Sequence, residues 1–327
     1  MFRPLLAICI ATFGGIASMP AYAADDDAKP ACDRACLEKF VKTYLTALTS
    51  HDPSRAPLKD NLKYTENQSR LPIGEGLWKT AERLGDYQIY ISDMRTSQAV
   101  YMGNIKTSEG WSMLTVRLRI VGDKISEVET IYPGPAIGGS YDLGNAPATL
   151  GKSRAALSAP LKAIERRDRW QLIQAADLHY EGIERGSGDL VPFGERCIKI
   201  ENGVQLIKNP NFESPVRSPM GTKLPNFQSM GCTEQFNTHV WDTDTITDRR
   251  YSVVDEERGI VVAFAMYNQY AKGPCSMVVD YGPACPNSIV PPYSLAIAEA
   301  FRVRSGFIEE VESIFKVLPE QRLRGIW

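Results

Sequence analysis

The sequence predicts an α+β protein built from two diverged copies of one small domain, and three observations carry that prediction. The first is an internal repeat. Pro57 to Gln68 reads PLKDNLKYTENQ and Pro192 to Gly203 reads PFGERCIKIENG, so a shift of 135 residues lays Pro57 on Pro192, Asp60 on Glu195, Glu66 on Glu201 and Asn67 on Asn202. The second joins the ends of the two units: RLRIVGDKISEVETIY, 117 to 132, matches AFRVRSGFIEEVESIF, 300 to 315, with Arg119 on Arg302 and a shared Ile-x-Glu-Val-Glu-x-Ile core. The third is periodicity, since each half opens with a 3.6-residue apolar repeat and continues in runs of alternating strand character.

The first 23 residues read as a leader. Arg3 supplies a positive start, Leu5 to Ile16 an apolar run broken only by Thr12, Gly14 and Gly15, and Ala21-Tyr22-Ala23 a small-x-small cleavage pattern. A run of roughly a dozen residues is short of the ~20 that a spanning helix needs, so export with cleavage after Ala23 is expected, and no membrane span. The first domain then occupies 24–135. Leu37, Phe40, Val41, Tyr44, Leu45 and Leu48 recur at helical spacing until His51-Asp52-Pro53 ends the run. Strands are expected at Tyr87 to Ile91, Ala99 to Met102, Met113 to Val121 and Ile125 to Tyr132, with a hairpin turn at Gly122-Asp123.

The Gly-, Pro- and Ala-rich stretch PGPAIGGSYDLGNAPATLGKS places a linker over 136–157. The second domain, 158–327, repeats the plan. Trp170, Leu172, Ile173, Ala176 and Tyr180 form the helix stripe before Gly186-Ser187-Gly188. Strands follow at Ile198 to Glu201, Arg250 to Val254, Ile260 to Met266, Leu295 to Val303 and Ile308 to Phe315, with Ser305-Gly306 as the last turn. Two additions, Leu206 to His239 and Asn268 to Pro292, are rich in Pro and Gly and hold cysteines; such additions read as rim loops, where a lid over a pocket would be sought.

Composition narrows the function. With the leader removed about 300 residues remain, enough for two ordinary domains. A formal charge of -2 and a pI near 6.0 offer no basic stripe for phosphates, so nucleic acid is not an expected partner. Six cysteines follow the leader, Cys32, Cys36, Cys197, Cys232, Cys275 and Cys285, and an even count in an exported chain points to disulfides. Six cysteines allow fifteen connectivities; pairing nearest neighbours gives Cys32 with Cys36, Cys197 with Cys232, and Cys275 with Cys285. No metal site is expected, because the spacing lacks a paired C-x-x-C and the chain has 3 histidines. No G-x-S-x-G, G-x-x-x-x-G-K-[ST], strand-borne G-x-G-x-x-G or H-E-x-x-H occurs, which leaves chemistry without a cofactor.

A helix with an aromatic residue near its end, a short break, a strand ending in an acid and Asn, and then a meander of long strands resembles the nuclear transport factor 2-like superfold. The resemblance is to its SnoaL-like and ketosteroid isomerase-like branches, twice over. It implies two tandem cone-shaped domains, each a curved antiparallel sheet packed with N-terminal helices around an apolar pocket. In the isomerase branch a helix tyrosine and a protonated acid hold an oxyanion while a strand carboxylate moves a proton. VKTYLTALTSHD resembles that helix and YTEN that strand, which puts Tyr44 on the tyrosine position and Glu66 on the base position, with Tyr64 beside it as a substrate contact. The third position falls near Val116, which cannot donate. The second unit offers His179, Glu201 and Glu299 at the three positions, or Tyr180 in place of His179 if the alignment slips by one.

Each of these residues also has a plainer reading, as a rim carboxylate, a helix-face histidine or core. His239 near Trp241 and Asp242 could line a pocket, and Arg250 beside Arg249 could hold a substrate carboxylate. Tyr87, Tyr90, Tyr101, Trp111, Phe264 and Tyr267 fit a flat ligand, but aromatics at such spacing are more often plain core. The expectation is a periplasmic or secreted, cofactor-independent lyase, dehydratase or isomerase acting on a small apolar or aromatic molecule, with a homodimer left open. The alternative is a non-catalytic module that binds a small molecule or a protein. On the enzyme reading the second unit, with three polar groups, holds the working site.

Overall fold

The computed structural model of the chain describes residues 32–135, 146–212, 216–240, 245–269, 275–286, 292–319 and 325–327. The expected leader, residues 136–145 of the expected linker, and Trp241 and Asp242 lie outside the described residues. The first half begins with α1 (Arg34–Thr49), continues through β1 (Leu58–Glu66), β2 (Ser69–Arg70), β3 (Ala81–Asp93), β4 (Gln98–Thr107), β5 (Gly110–Val121) and β6 (Lys124–Ile131), and is followed by a four-residue α2 (Ala146–Thr149). The second half begins with α3 (Arg169–Glu184), then β7 (Phe193–Glu201), β8 (Val204–Gln205), β9 (Val216–Arg217), α4 (Cys232–Asn237), β10 (Thr245–Asp255), β11 (Ile260–Gln269), β12 (Ser276–Val278), β13 (Gly282–Pro286), β14 (Tyr293–Arg304) and β15 (Phe307–Leu318).

The class is α+β with two six-stranded sheets of one topology: β2-β1-β6-β5-β4-β3 in the first unit and β8-β7-β15-β14-β11-β10 in the second. In each sheet the early strand joins the last long strand in parallel, β1 with β6 and β7 with β15, and every other pairing is antiparallel. A parallel pair needs a long crossover, here the three intervening long strands. Shifts of register in β1, β3, β7 and β10 mark irregularities of the kind that bend and twist a strand.

The two leading helices have the same length, 16 residues, and the same start signal. Asp33 accepts from the Cys36 N–H, and Asp168 accepts from the Gln171 N–H while Gln171 reaches back to the Asp168 N–H. Leu37, Val41, Tyr44, Leu45 and Leu48 bury one face of α1; Leu172, Ala176, His179, Tyr180 and Ile183 bury the corresponding face of α3. Each helix lies over its own sheet and closes a separate core.

The other faces of the two sheets meet each other. Ile89, Ile91, Val100, Met102, Met113 and Ile131 pack against Val253, Val262, Phe264, Ala298, Ala300 and Ile314 in a third core, the seam. Alternation along β5 shows the division: Leu114, Val116 and Leu118 face α1, while Met113 joins the seam. The seam is also reciprocal. Arg34 at the start of α1 binds Asp255 of the second unit, Nη2 to Oδ1 at 2.9 Å, and Arg169 at the start of α3 binds Asp93 of the first at 2.7 Å. Corresponding residues thus exchange corresponding contacts, the signature of an isologous interface.

The described part of the expected linker packs into this seam, where Leu157 is buried and Arg154 binds Glu310 and Glu312. The two additions do not stay separate rim loops. β9 from the first pairs with β13 from the second, giving a three-stranded sheet over its own core of Phe227, Val240, Val278 and Ala284. The disulfides are Cys32–Cys36, Cys197–Cys232 and Cys275–Cys285, the nearest-neighbour pairing. Three disulfides indicate an oxidising, extracytoplasmic setting. Among the described residues no helix is long and apolar enough to cross a membrane.

Candidate active site

Glu66 and Glu201 close β1 and β7, and the residue after each turns the chain in the same way. Asn67 and Asn202 both have positive φ, 48° and 45°. Asn67 accepts from the Tyr132 N–H and donates to the Tyr132 carbonyl; Asn202 does the same with Phe315. The two glutamates therefore occupy one structural position, opposite Thr130 in the first sheet and Ser313 in the second. Val116 and Glu299 are also equivalent, since each faces that same partner across the next strand.

In the second unit the polar groups converge. Glu299 is 0% exposed and accepts from the Tyr267 hydroxyl at 2.8 Å and the Ser313 hydroxyl at 2.7 Å. The Lys199 ammonium lies 3.7 Å from Glu299 and 3.0 Å from Glu201, and the Lys199 and Glu201 side chains retain 12% and 14% exposure. His179 Nε2 stands 3.9 Å from Glu299, and neither ring nitrogen has a hydrogen-bond partner. The Tyr180 hydroxyl lies in the field of the same carboxylate without a well-formed hydrogen bond. Aromatic rings surround the imidazole: Phe301 at 5.0 Å, Phe236 at 5.2 Å and Phe193 at 5.9 Å between centroids. Phe236 belongs to α4, which the Cys197–Cys232 disulfide ties to β7.

Charge follows from this packing. Burial, helped by the Lys199 cation, holds the His179 pKa well below that of a free imidazole, so the ring is neutral and has one donor and one acceptor nitrogen. For Lys199 burial opposes the charge, but Glu201 and Glu299 outweigh it and the pKa is raised. Burial first, and the Glu299 charge second, push the Tyr180 and Tyr267 hydroxyls well above their usual range. The cluster is a fixed carboxylate, a cation, a second carboxylate nearer solvent, and a neutral imidazole with free hydrogen-bonding capacity.

The first unit uses the same positions for packing. Tyr44 is buried with its ring edge-on to Trp78 at 5.4 Å. Glu66 accepts from the Tyr64 hydroxyl at 2.9 Å and the Leu77 N–H at 2.8 Å. Burial raises its pKa, with those two donors pulling the other way. Gly76 lies so close that a Cβ there would meet the Glu66 carboxylate at 2.6 Å. Glu66 thus anchors the segment that covers it.

Other expected contacts fall elsewhere. Arg250 lies in the seam, bound to Glu129 at 2.6 Å, because its side chain is on the face of β10 turned to the first unit. Arg249 is held on α3 by Asp177, Glu181 and Glu184. His239, at positive φ, packs on Gly186 beyond the end of α3, where a Cβ would meet its ring at 2.3 Å. Tyr87 and Phe264 belong to the seam, whereas Tyr267 joins the cluster. Lys199, Ser313 and Phe236 were not among the expected site residues. Lys199 could have been read from strand alternation, two residues before Glu201 and so on its face; Phe236 and Ser313 carry no local signal.

Residues 165–315 match the model of a domain of unknown function, DUF8021. A search of curated proteins finds no match. Among solved structures, the chain is similar to an NTF2-like protein of unknown function from Cytophaga hutchinsonii, at 10% identity and a TM-score of 0.23 over 30% of this chain and 90% of that one. It is similar to a protein of unknown function with a cystatin-like fold from Methylobium petroleophilum, at 18% identity and a TM-score of 0.27 over 40% of this chain and 97% of that one. It is also similar to a protein provisionally called a ketosteroid isomerase from Kribbella flavida, at 15% identity and a TM-score of 0.24 over 38% and 96%. The span matched by the family model contains every residue of the second-unit cluster.

Proposed function

We propose that the protein is a cofactor-independent acid–base enzyme, an isomerase, dehydratase or other lyase, acting in the periplasm or outside the cell on a small apolar or aromatic molecule. The observation that supports this reading is His179: a fully buried imidazole with both nitrogens unpartnered, beside an unpartnered Tyr180 hydroxyl and a carboxylate. Buried polar groups are almost always satisfied, and a reacting carbonyl or hydroxyl would satisfy these. Glu201 is the base, paired with Lys199 at 3.0 Å and more exposed than the fully buried Glu299. It takes a proton from carbon next to a carbonyl; the His179 N–H or the Tyr180 O–H holds the oxygen as charge develops. Return of the proton to another carbon gives isomerisation, and loss of a leaving group gives elimination. Glu299 fixes Tyr267, Ser313 and Lys199.

The test is solvent-deuterium incorporation into a panel of small apolar ketones and hydroxy-aromatics. Glu201→Gln should slow exchange by roughly a hundredfold, the scale of a lost general base, with little change in melting temperature. Exchange at the parent rate in that variant would remove Glu201 from the mechanism. A second reading, a non-catalytic binding or interaction module, is favoured by one fact: Phe193, Phe236 and Phe301 already pack around His179. Ligands that raise the melting temperature without any exchange would select it.

A further inference from the structure

Gly325, Ile326 and Trp327 lie across the edge of the seam, and three successive N–H groups are each received by a different side chain. The Gly325 N–H donates to the Asp248 carboxylate, the Ile326 N–H to Gln68 Oε1 at 3.1 Å, and the Trp327 indole N–H to Thr65 Oγ1 at 3.0 Å. Asp248 comes from β10 of the second unit; Thr65 and Gln68 come from β1 and the turn after it in the first. Thr65 and Gln68 are buried, and Gln68 and Asp248 hold left-handed backbone, φ 60° and 52°, which Asp adopts readily and Gln only at a cost. The indole sits among three cations: Lys63 Nζ is 3.5 Å from the ring centroid, and the Arg117 and Arg250 guanidinium carbons are 4.6 Å and 5.9 Å away. Glu127 and Glu129 pair with the two arginines. Lys63 forms no ion pair among the described residues, and its ammonium lies directly against the electron-rich ring face.

The fold does not require this arrangement. At the corresponding positions of the second unit stand Ile198, Ile200, Gly203 and Ala300 in place of Lys63, Thr65, Gln68 and Arg117. There the turn is covered by Leu150, close enough that a Cβ on Gly203 would meet it at 2.9 Å. An apolar plug suffices to close that end of the seam. The first unit instead presents acceptors spaced for a peptide backbone and a cation-lined slot for one aromatic ring, while the Ile326 side chain is left 39% exposed and unread.

We propose that this groove is a peptide-recognition site, which the chain fills with its own Gly325-Ile326-Trp327 and which takes in trans a partner segment of the same pattern, two backbone N–H donors followed by an indole. The chain's own tail then acts as a competitor that keeps the groove closed until a better-matched segment displaces it.

Titration of a labelled Gly-Ile-Trp peptide, followed by fluorescence anisotropy, tests this on the full chain and on a chain lacking residues 325–327. The expected result is saturable one-to-one binding to the shortened chain and binding at least tenfold weaker to the full chain. Gly-Ala-Trp should bind like Gly-Ile-Trp, and Gly-Ile-Ala should not bind. Lys63→Ala in the shortened chain should weaken binding by about three- to fivefold, as expected for one cation–π contact. If the shortened chain does not fold, Trp327→Ala in the full chain carries the same titration. No saturable binding to whichever variant is folded, or equal binding of Gly-Ile-Ala, overturns the proposal; so does equal binding to the full chain.

Discussion

The two cones place different chemistry on the same frame. Tyr44, Tyr64, Glu66, Val116 and Thr130 in the first stand where His179, Lys199, Glu201, Glu299 and Ser313 stand in the second. In the first, the strand glutamate is satisfied by Tyr64 and the Leu77 N–H and covered by Gly76. In the second, the residue at the tyrosine's place is a lysine, and it draws two carboxylates together. The lesson is that one polar residue kept in both units does not keep one role; its neighbours two residues back and one strand over decide whether it seals a loop or joins a cluster.

The largest expected effect comes from exchanging the residues at the third position. Val116→Glu would place a carboxyl in the first core, where Tyr64 stands in place of Lys199, and should cost about 3–5 kcal/mol, the range for an uncompensated buried charge. Glu299→Val would leave Tyr267 and Ser313 without their acceptor and should cost about 1–3 kcal/mol. Urea unfolding of both variants compares them; equal losses would mean that the two cones are not differently built.

Next comes the seam, where Glu312 is fully buried between Tyr87, Arg154 and Glu310. Burial, which Arg154 only partly offsets because Glu310 shares it and adds like charge, raises this carboxyl to about 7. The folded state therefore holds a proton that the unfolded chain releases near the ordinary carboxyl value. The resulting stability is full below that value and is lost as pH rises through about 7, on the order of 3 kcal/mol. His179 acts oppositely: its pKa is depressed, so stability is lost as pH falls below about 6.5, where the unfolded imidazole charges. Comparing Glu312→Gln with the parent from pH 5 to 8 isolates the first effect. The variant should gain stability relative to the parent as pH rises, and parallel curves would rule it out.

The smallest effect is Glu66→Gln. A neutral amide keeps one acceptor oxygen for the Tyr64 and Leu77 donors but adds its own N–H groups beneath Gly76, at a cost of about 1 kcal/mol. On the proposed function, exchange catalysed by the second cone should not change. A loss of turnover with no loss of stability would move the working site to the first unit.

What could be read from the sequence was whatever repeats in type at a fixed offset. Glu66 and Glu201, followed by Asn67 and Asn202, were legible because a strand end that turns back through a left-handed Asn needs the same residues twice. Val116 and Glu299 were legible because the hairpins after them align without a gap. Helix faces and strand runs were legible from period alone, although β3 and β10 extend beyond their apolar stretches because pairing continues where side chains are polar.

The tertiary structure decided which side of each sheet those strands show to a cone and which to the seam. Both sides are apolar here, so alternation gives the two sets but not their destinations; Arg250, Tyr87 and Phe264 went to the seam, while Tyr267 went to the cone. It also decided that the two cysteine-bearing additions form one sheet, that Phe236 reaches His179, and that Trp327 meets Lys63 and Thr65. Those contacts join residues far apart in sequence with no shared pattern. Their energy comes from burial and mutual satisfaction in the folded state, which no local preference encodes.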